Sequence, residues 1–148
     1  TDHCPFNYAK EKQDGKDDFR KCPNGAPGVE ERMILLFSEG VMKNKISINK
    51  LVEVACTNPA KVYGMYPKKG IIEPGADRDL IIIDADAKQT LTHEMMHGAV
   101  DYTSYEGTPL NGKIDLVMQR GNIIAENNEF KGNRGDGQYI YRKPYFDI

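Results

Sequence analysis

Two clusters of residues could do chemistry. His93-Glu94-Met95-Met96-His97 matches H-E-x-x-H. On a helix, two histidines four apart face one way and can share a zinc, with the glutamate as general base. The flanks do not demand a helix, since Thr90 and Thr92 precede the motif and Gly98 follows at once. The extended form of the pattern fails, because Val100 and Thr103 stand where Gly and His are needed. A carboxylate third ligand, Asp101 or Glu106, stays open. A zinc metalloprotease is thus one reading, behind the plainer one of solvent-side histidines on a loop. The second cluster is Asp2-His3, followed by Cys4-Pro5-Phe6. A carboxylate can ligate a metal or shuttle a proton as general base. Taken alone, the pair reads as a capped loop. Asn24-Gly25 is an ordinary turn signal.

These residues must be held by surrounding elements. Residues 1 to 28 are polar, with turn signals at Asp14-Gly15 and Pro23-Asn24-Gly25, and read as one long loop of the kind that carries function or stays disordered. A helix is expected from Glu30 to Lys43, with Met33, Leu36, Phe37, Gly40 and Val41 on one face. Glu30 and Glu31 would occupy its first turn, at the positive end of the helix dipole. Ser47 is the expected N-cap of a second helix lined by Ile48, Leu51, Val54 and Ala55. Asn58-Pro59 is expected to restart the chain, Asn58 as cap and Pro59 at the first helical position, with Gly64 closing the short helix. From Gly70 the period changes. Short strands are expected at Ile71–Glu73 and Leu80–Asp84, around a Pro74–Asp77 turn, and at Ile114–Met118 and Asn122–Glu126 around Gln119-Arg120-Gly121. Residues 85 to 113 are mixed in character. The expected seam between halves is at Pro67-Lys68-Lys69, giving units 1–66 and 67–148.

Composition narrows the class. The 148 residues are 39% hydrophobic and 28% charged, as in a soluble globular protein. Lys plus Arg is 20 against 22 Asp plus Glu, a net charge of −2, which argues against nucleic acid or an anionic membrane as main partner. No apolar run reaches transmembrane length, and no signal peptide opens the chain. The start at Thr1 lacks Met and reads as the middle of a longer protein. Cys4, Cys22 and Cys56 are odd in number and form no C-x-x-C pair, against a disulfide scaffold or structural zinc. Free thiols point to the cytoplasm, and Cys56 reads as core filler.

The ordered series of short motifs carries a resemblance. Thr1-Asp2-His3-Cys4-Pro5-Phe6-Asn7 resembles the end of the eighth barrel strand in dihydropyrimidinases and D-hydantoinases. Gly15-Lys16-Asp17-Asp18-Phe19 and Cys22-Pro23-Asn24-Gly25-Ala26-Pro27-Gly28-Val29-Glu30-Glu31-Arg32 resemble the loop that follows. Thr57-Asn58-Pro59-Ala60-Lys61 with Gly64 is similar to a helix pair of the wider amidohydrolase superfamily. Lys69-Gly70-Ile71-Ile72-Glu73-Pro74-Gly75-Ala76-Asp77-Arg78-Asp79-Leu80 is similar to the strand-turn-strand of its small β-domain. Asp101-Tyr102, Tyr105-Glu106-Gly107, Gly137-Gln138-Tyr139 and Arg142-Lys143-Pro144 also fit. Arg78 departs from the usual small residue, and Cys22 from a common aliphatic.

The resemblance implies an α+β fragment: the end of a (β/α)8 TIM barrel, with its loop and helices, followed by part of a β-sandwich. It implies ring-opening hydrolysis of cyclic amides, with two metal ions, usually zinc, that activate water and polarise the amide carbonyl. Asp2 would ligate one metal and carry the proton from water to the leaving nitrogen. Asn24 would hold the cyclic amide, through backbone more than side chain, beside the small Gly25. The family's other metal ligands lie upstream of the segment matching Asp2 and are absent here, so the chain alone is expected to be inactive and to need the rest of its parent enzyme. A sister branch without catalysis, the collapsin-response-mediator proteins, lacks the aspartate matching Asp2, so its presence favours an enzyme. The family tends to form homotetramers. A non-catalytic interaction module is a further alternative, since the aromatic tail Tyr139, Tyr141, Tyr145 and Phe146 could dock on another subunit. An incomplete sandwich would also leave open sheet edges.

Overall fold

The computed structural model describes residues 2–144. Thr1 lies outside them, as do Tyr145 and Phe146 of the aromatic tail.

The first 28 residues contain two single turns of 3-10 helix, Glu11–Gly15 and Phe19–Lys21. The Asp18 carboxylate accepts from the Arg20 amide and caps the second turn. Helix α1 spans 32–41, as Arg32–Leu36 in α geometry and Phe37–Val41 in π geometry. It starts later than expected. Glu30 and Glu31 precede it rather than filling its first turn, and Glu31 is buried. The expected apolar face is met in part: Phe37 is buried and Met33 and Val41 pack against the core. Ile34, Phe37 and Ser38 are buried, whereas Leu36 is 37% exposed. Met33 to Phe37 is an unbroken apolar run, so its periodicity alone cannot fix which stripe turns inward.

Helix α2 spans 48–62. The Ser47 hydroxyl caps it, accepting from the Lys50 amide at 3.1 Å. The chain does not restart at Asn58-Pro59, because the helix runs straight through. Ile48–Val52 and Asn58–Val62 are α-helical, and Glu53–Thr57 between them is a π turn. There the Asn58 amide reaches back five residues to the Glu53 carbonyl. A proline inside a regular α-helix clashes with the carbonyl four residues earlier. The wider turn relieves that clash, so Pro59 sits in a continuous rod. Gly64 closes the helix at φ +68. Leu51 is buried, but Ile48 and Val54 of the expected apolar side are exposed.

Residues 71–73 form no strand. The segment 65–79 is a loop pinned by charge instead. The Lys69 ammonium pairs with Asp77 at 2.8 Å and with Asp79. Asp79 also accepts from the Arg120 amide at 2.9 Å. Arg78 packs its guanidinium on Gly121 and accepts the Gly121 amide on its carbonyl, which accounts for its departure from a small residue.

A four-stranded antiparallel meander follows in the order β1 Leu80–Thr90, β2 Pro109–Gln119, β3 Asn122–Glu126 and β4 Glu129–Phe130. The mixed 85–113 stretch thus completes one strand and begins the next. Both tight hairpins use paired positive φ values, Arg120 and Gly121 (49° and 84°) and Asn127 and Asn128 (50° and 64°). That geometry matches the twist of the flanking strands. Among the described residues, β1 pairs on one side only, and Ile81 and Ile82 on it are exposed.

Helix α1 lies across β2. Ile34, Phe37 and Leu51 form one buried cluster with Leu91 and Leu110, so the core takes residues from both sides of Pro67. The helix and strand meet closely at Gly112 (φ +109), where a Cβ would stand 2.7 Å from the Phe37 ring. Beside it, the fully buried Ser38 hydroxyl accepts from the Asn111 amide at 2.9 Å. Leu91 is wholly buried. Leu91→Ala should lower unfolding stability by about 3 kcal/mol through lost transfer energy and the cavity left behind, read as a lower urea midpoint at unchanged slope.

Candidate active site

The H-E-x-x-H segment does not build a metal site. His93–Met95 is a single 3-10 turn, with Thr92 and Met96 in extended backbone on either side. Without an α-helix the two imidazoles do not share a face. Each histidine has its own structural partners. The His93 amide donates to Glu106 at 2.8 Å. His97 lies 2.6 Å through Nδ1 from a Glu30 carboxylate oxygen, and its Nε2 lies 3.1 Å from the Asn128 carbonyl oxygen. Asp101, a possible third ligand, uses both carboxylate oxygens elsewhere. No group of three or more potential metal-binding side chains converges among the described residues. This segment is a brace. Through Glu30 and Asn128 it ties the entry to α1 to the β3–β4 turn.

The N-terminal candidates do come together. The segment 2–4 runs alongside 25–28. His3 and Ala26 form a parallel bridge, the Cys4 amide donates to the Ala26 carbonyl at 3.0 Å, and the Gly28 amide donates to His3 Nδ1 at 3.2 Å. Gly25 (φ +83) makes the approach possible. A Cβ there would meet Cys4 Sγ at 2.5 Å and the Asp2 carbonyl oxygen at 3.5 Å. Asp2 and Asn24 are both exposed, so their groups are open to a ligand. Asp2 sits at φ 52, a left-handed conformation that aspartate tolerates better than most residues. Its carboxylate has the Cys4 thiol 3.9 Å away.

Two residues hold this loop in roles that the motifs did not assign them. Lys12 donates to the carbonyls of Pro23 (2.5 Å) and Gly25 (2.6 Å), on either side of Asn24. Its ammonium also lies 5.7 Å from the Phe6 ring centroid. Asp101 accepts from the Tyr8 and Ala9 amides at 2.6 and 3.0 Å, which holds its carboxyl below the usual range, Ala9 contributing most. Tyr102 adds a tilted ring contact with Tyr8 at 5.8 Å. Neither anchor has a local signature: a lone lysine in a polar loop looks like any solvated lysine, and Asp101 acts across 92 residues of chain. Cys22, the other departure, packs under Gly15, where a Cβ would stand 2.4 Å from the cysteine Cβ.

A cavity of about 290 Å³ lies elsewhere, between the start of α1 and the sheet, lined by Met33, Leu91, Met96, His97, Leu110 and Ile114 among others. It contains neither Asp2 nor Asn24 and is mostly apolar.

Residues 18–124 match the amidohydrolase family, and the chain belongs to it. Within that family the similarity is to hydantoinases. The D-phenylhydantoinase of Escherichia coli O1:K1 / APEC is 44% identical over 145 residues, 98% of this chain and 32% of its own length. The solved D-hydantoinase of Bacillus sp. AR9 superposes with a TM-score of 0.91 at 44% identity, over 96% of this chain and 31% of that one. The dihydropyrimidinase of Brevibacillus agri NCHU1002 gives 0.92 at 44%, over 96% and 31%. The chain thus spans about a third of the length of the relatives it matches.

The brace reading makes two predictions. The Glu30 carboxylate holds the His97 pKa above its ordinary 6.5. A raised folded-state value means that the pair contributes stability fully below the unfolded value. That contribution is lost as pH rises through the folded value. An NMR titration of His97 should therefore show a midpoint above 6.5, and Glu30→Gln should bring it down. Zinc content after dialysis should be the same in wild type, His93→Ala and His97→Ala.

Proposed function

We propose that the protein containing this chain hydrolyses cyclic amides of the hydantoin or dihydropyrimidine type. The observation that carries this reading is the junction of Asp2 with the Asn24-Gly25 loop, in a chain similar to hydantoinases over almost its whole length. Residues 1–66 would be the last barrel strand end, substrate loop and following helices, and 67–148 part of a β-sandwich with its tail. Apolar faces support a larger parent. Ile48, Val52, Val54 and Val62 on α2, Tyr63 just after it, and Ile81 and Ile82 on the edge strand β1 are exposed as if awaiting cover.

A cyclic amide is locked cis and presents N–H and C=O on one edge. Asn24 offers one backbone donor and one acceptor to that edge, and its exposure leaves both within reach of a ligand. Water adds to the carbonyl carbon, the C–N bond breaks, and the nitrogen leaves protonated. Asp2 takes the proton from water and delivers it to the leaving nitrogen. Asp2 also fits a metal, as one exposed carboxylate ligand. A bound metal pair, with zinc as the expected metal, would lower the pKa of water and polarise the carbonyl. One carboxylate fills one coordination position, so the other ligands must come from elsewhere in the parent enzyme. The chain alone is proposed to be inactive.

No helix among the described residues is long and apolar enough to cross a membrane. Three free cysteines fit a reducing, cytoplasmic setting. The exposed pair Tyr139 and Tyr141, in edge contact at 5.1 Å, fits a role at a homotetramer interface.

The metal-loaded enzyme should open hydantoin or dihydrouracil rings, followed by loss of ring absorbance. Asp2→Asn should cut kcat on the order of 10³-fold, the scale of a lost general acid–base group, and reduce bound metal. Full activity in Asp2→Asn, or no ring opening by the loaded wild type, would sink the proposal.

A further inference from the structure

We propose that Lys12 is a positioning residue that sets the direction of the Asn24 backbone by gripping the carbonyls on both sides of it. The proposal rests on the reading of Asn24 as the substrate-holding residue. Both hydrogen-bond partners of the Lys12 ammonium are backbone oxygens, those of Pro23 and Gly25. A trans peptide is planar, and its C=O and N–H point opposite ways. Fixing the Pro23 oxygen toward Lys12 therefore aims the Asn24 N–H away from Lys12. Fixing the Gly25 oxygen does the same for the Ala26 N–H. The Asn24 carbonyl lies in the peptide plane between these two, so its swing is limited from both ends.

The opposite side of the loop is held too. The Cys4 amide binds the Ala26 carbonyl, and Cys4 Sγ fills the space beside Gly25. The loop is thus clamped between a backbone pairing and a cation, and Asn24 is left exposed at its tip. Lys12 is itself placed by the first 3-10 turn. Its amide donates to the Asn7 carbonyl at 3.0 Å, the Asn7 amide donates to Glu11 at 2.9 Å, and Gln13 Nε2 donates to the Tyr8 carbonyl at 2.7 Å. Hydrogen bonds to a charged group are the stronger kind, so a cation holds the two peptide planes more firmly than a neutral side chain could.

The test compares Lys12→Met and Lys12→Arg with wild type in the full-length metal-loaded enzyme, using hydantoin or dihydrouracil as substrate. Amide hydrogen exchange of residues 22–28 is measured alongside. Lys12→Met should raise KM about tenfold with kcat little changed, the effect of one charge-assisted hydrogen bond. Exchange at the Ala26 and Gly28 amides, which are held against the His3 segment, should quicken about tenfold while the β1–β2 amides keep their protection. Lys12→Arg, which can reach both carbonyls, should recover most of the lost KM. Unchanged exchange at Ala26 and Gly28 in Lys12→Met overturns the inference whatever the activity, and so does a faster exchange spread over the whole sheet. Faster exchange at Ala26 and Gly28 in an enzyme whose wild type opens no cyclic amide leaves the clamp standing and removes the proposed function.

Discussion

The Phe37 ring occupies the space where any side chain at position 112 would have its Cβ. Gly112 also sits at φ +109, which side-chain-bearing residues rarely adopt. Helix α1 can therefore approach β2 to ring-on-backbone distance there. Ser38, the next residue, is pressed in behind it, and its hydroxyl satisfies the Asn111 amide that would otherwise be buried without a partner. Polar and apolar contacts thus specify the same seating of helix on sheet. From that seating the site follows by a chain of contacts. The α1 entry places Glu30 and the buried Glu31. Glu31 accepts from the Thr103 hydroxyl at 2.8 Å, and Glu30 pairs with His97. Those bonds settle the 91–103 segment, whose Asp101 then captures the Tyr8 and Ala9 amides. The long N-terminal loop is held this way, and with it Lys12, Asn24 and Asp2.

The sequence was most informative where local chemistry is strong. Ser47 caps α2 because a hydroxyl at that position has a defined job, and Asn122–Glu126 forms the strand expected after the Gln119-Arg120-Gly121 turn. Gly121, following Arg120 at positive φ, turns the hairpin where a glycine turn signal stood. It was least informative where the outcome depends on residues far along the chain. Nothing around Leu36 says that Ile34 is buried with Leu91 and Leu110 while Leu36 stays exposed. Nothing around Pro59 says that a π turn will let the helix continue through it. Ile71–Glu73 has the composition of a strand, yet the Lys69 pairs with Asp77 and Asp79 fold that stretch back as a loop. The candidate site shows the same division. Asp2 and Asn24 are candidates that an ordered run of motifs brings forward, whereas Lys12 and Asp101, which hold their loop, act through backbone partners that no short pattern encodes.

His93-Glu94-Met95-Met96-His97 illustrates why a motif needs its element. The residue types are those of a zinc site, but imidazoles four apart converge only on an α-helix. Here extended backbone at Thr92 and Met96 confines the helical geometry to three residues. The His97 ring and the His93 backbone amide then serve as struts, and the acidic neighbours that could have completed a metal site are engaged as hydrogen-bond acceptors for backbone amides.

The shared core has a consequence for cutting the chain. Ile34, Phe37 and Leu51 lie before the Pro67 junction, and Leu91 and Leu110 after it. The junction is a seam in sequence, and the hydrophobic cluster crosses it. Two peptides divided there would each carry half of an interior and neither a whole one. They would have reason to find each other, as the halves of a complementation pair do, and the fit of Phe37 over Gly112 would decide whether they matched.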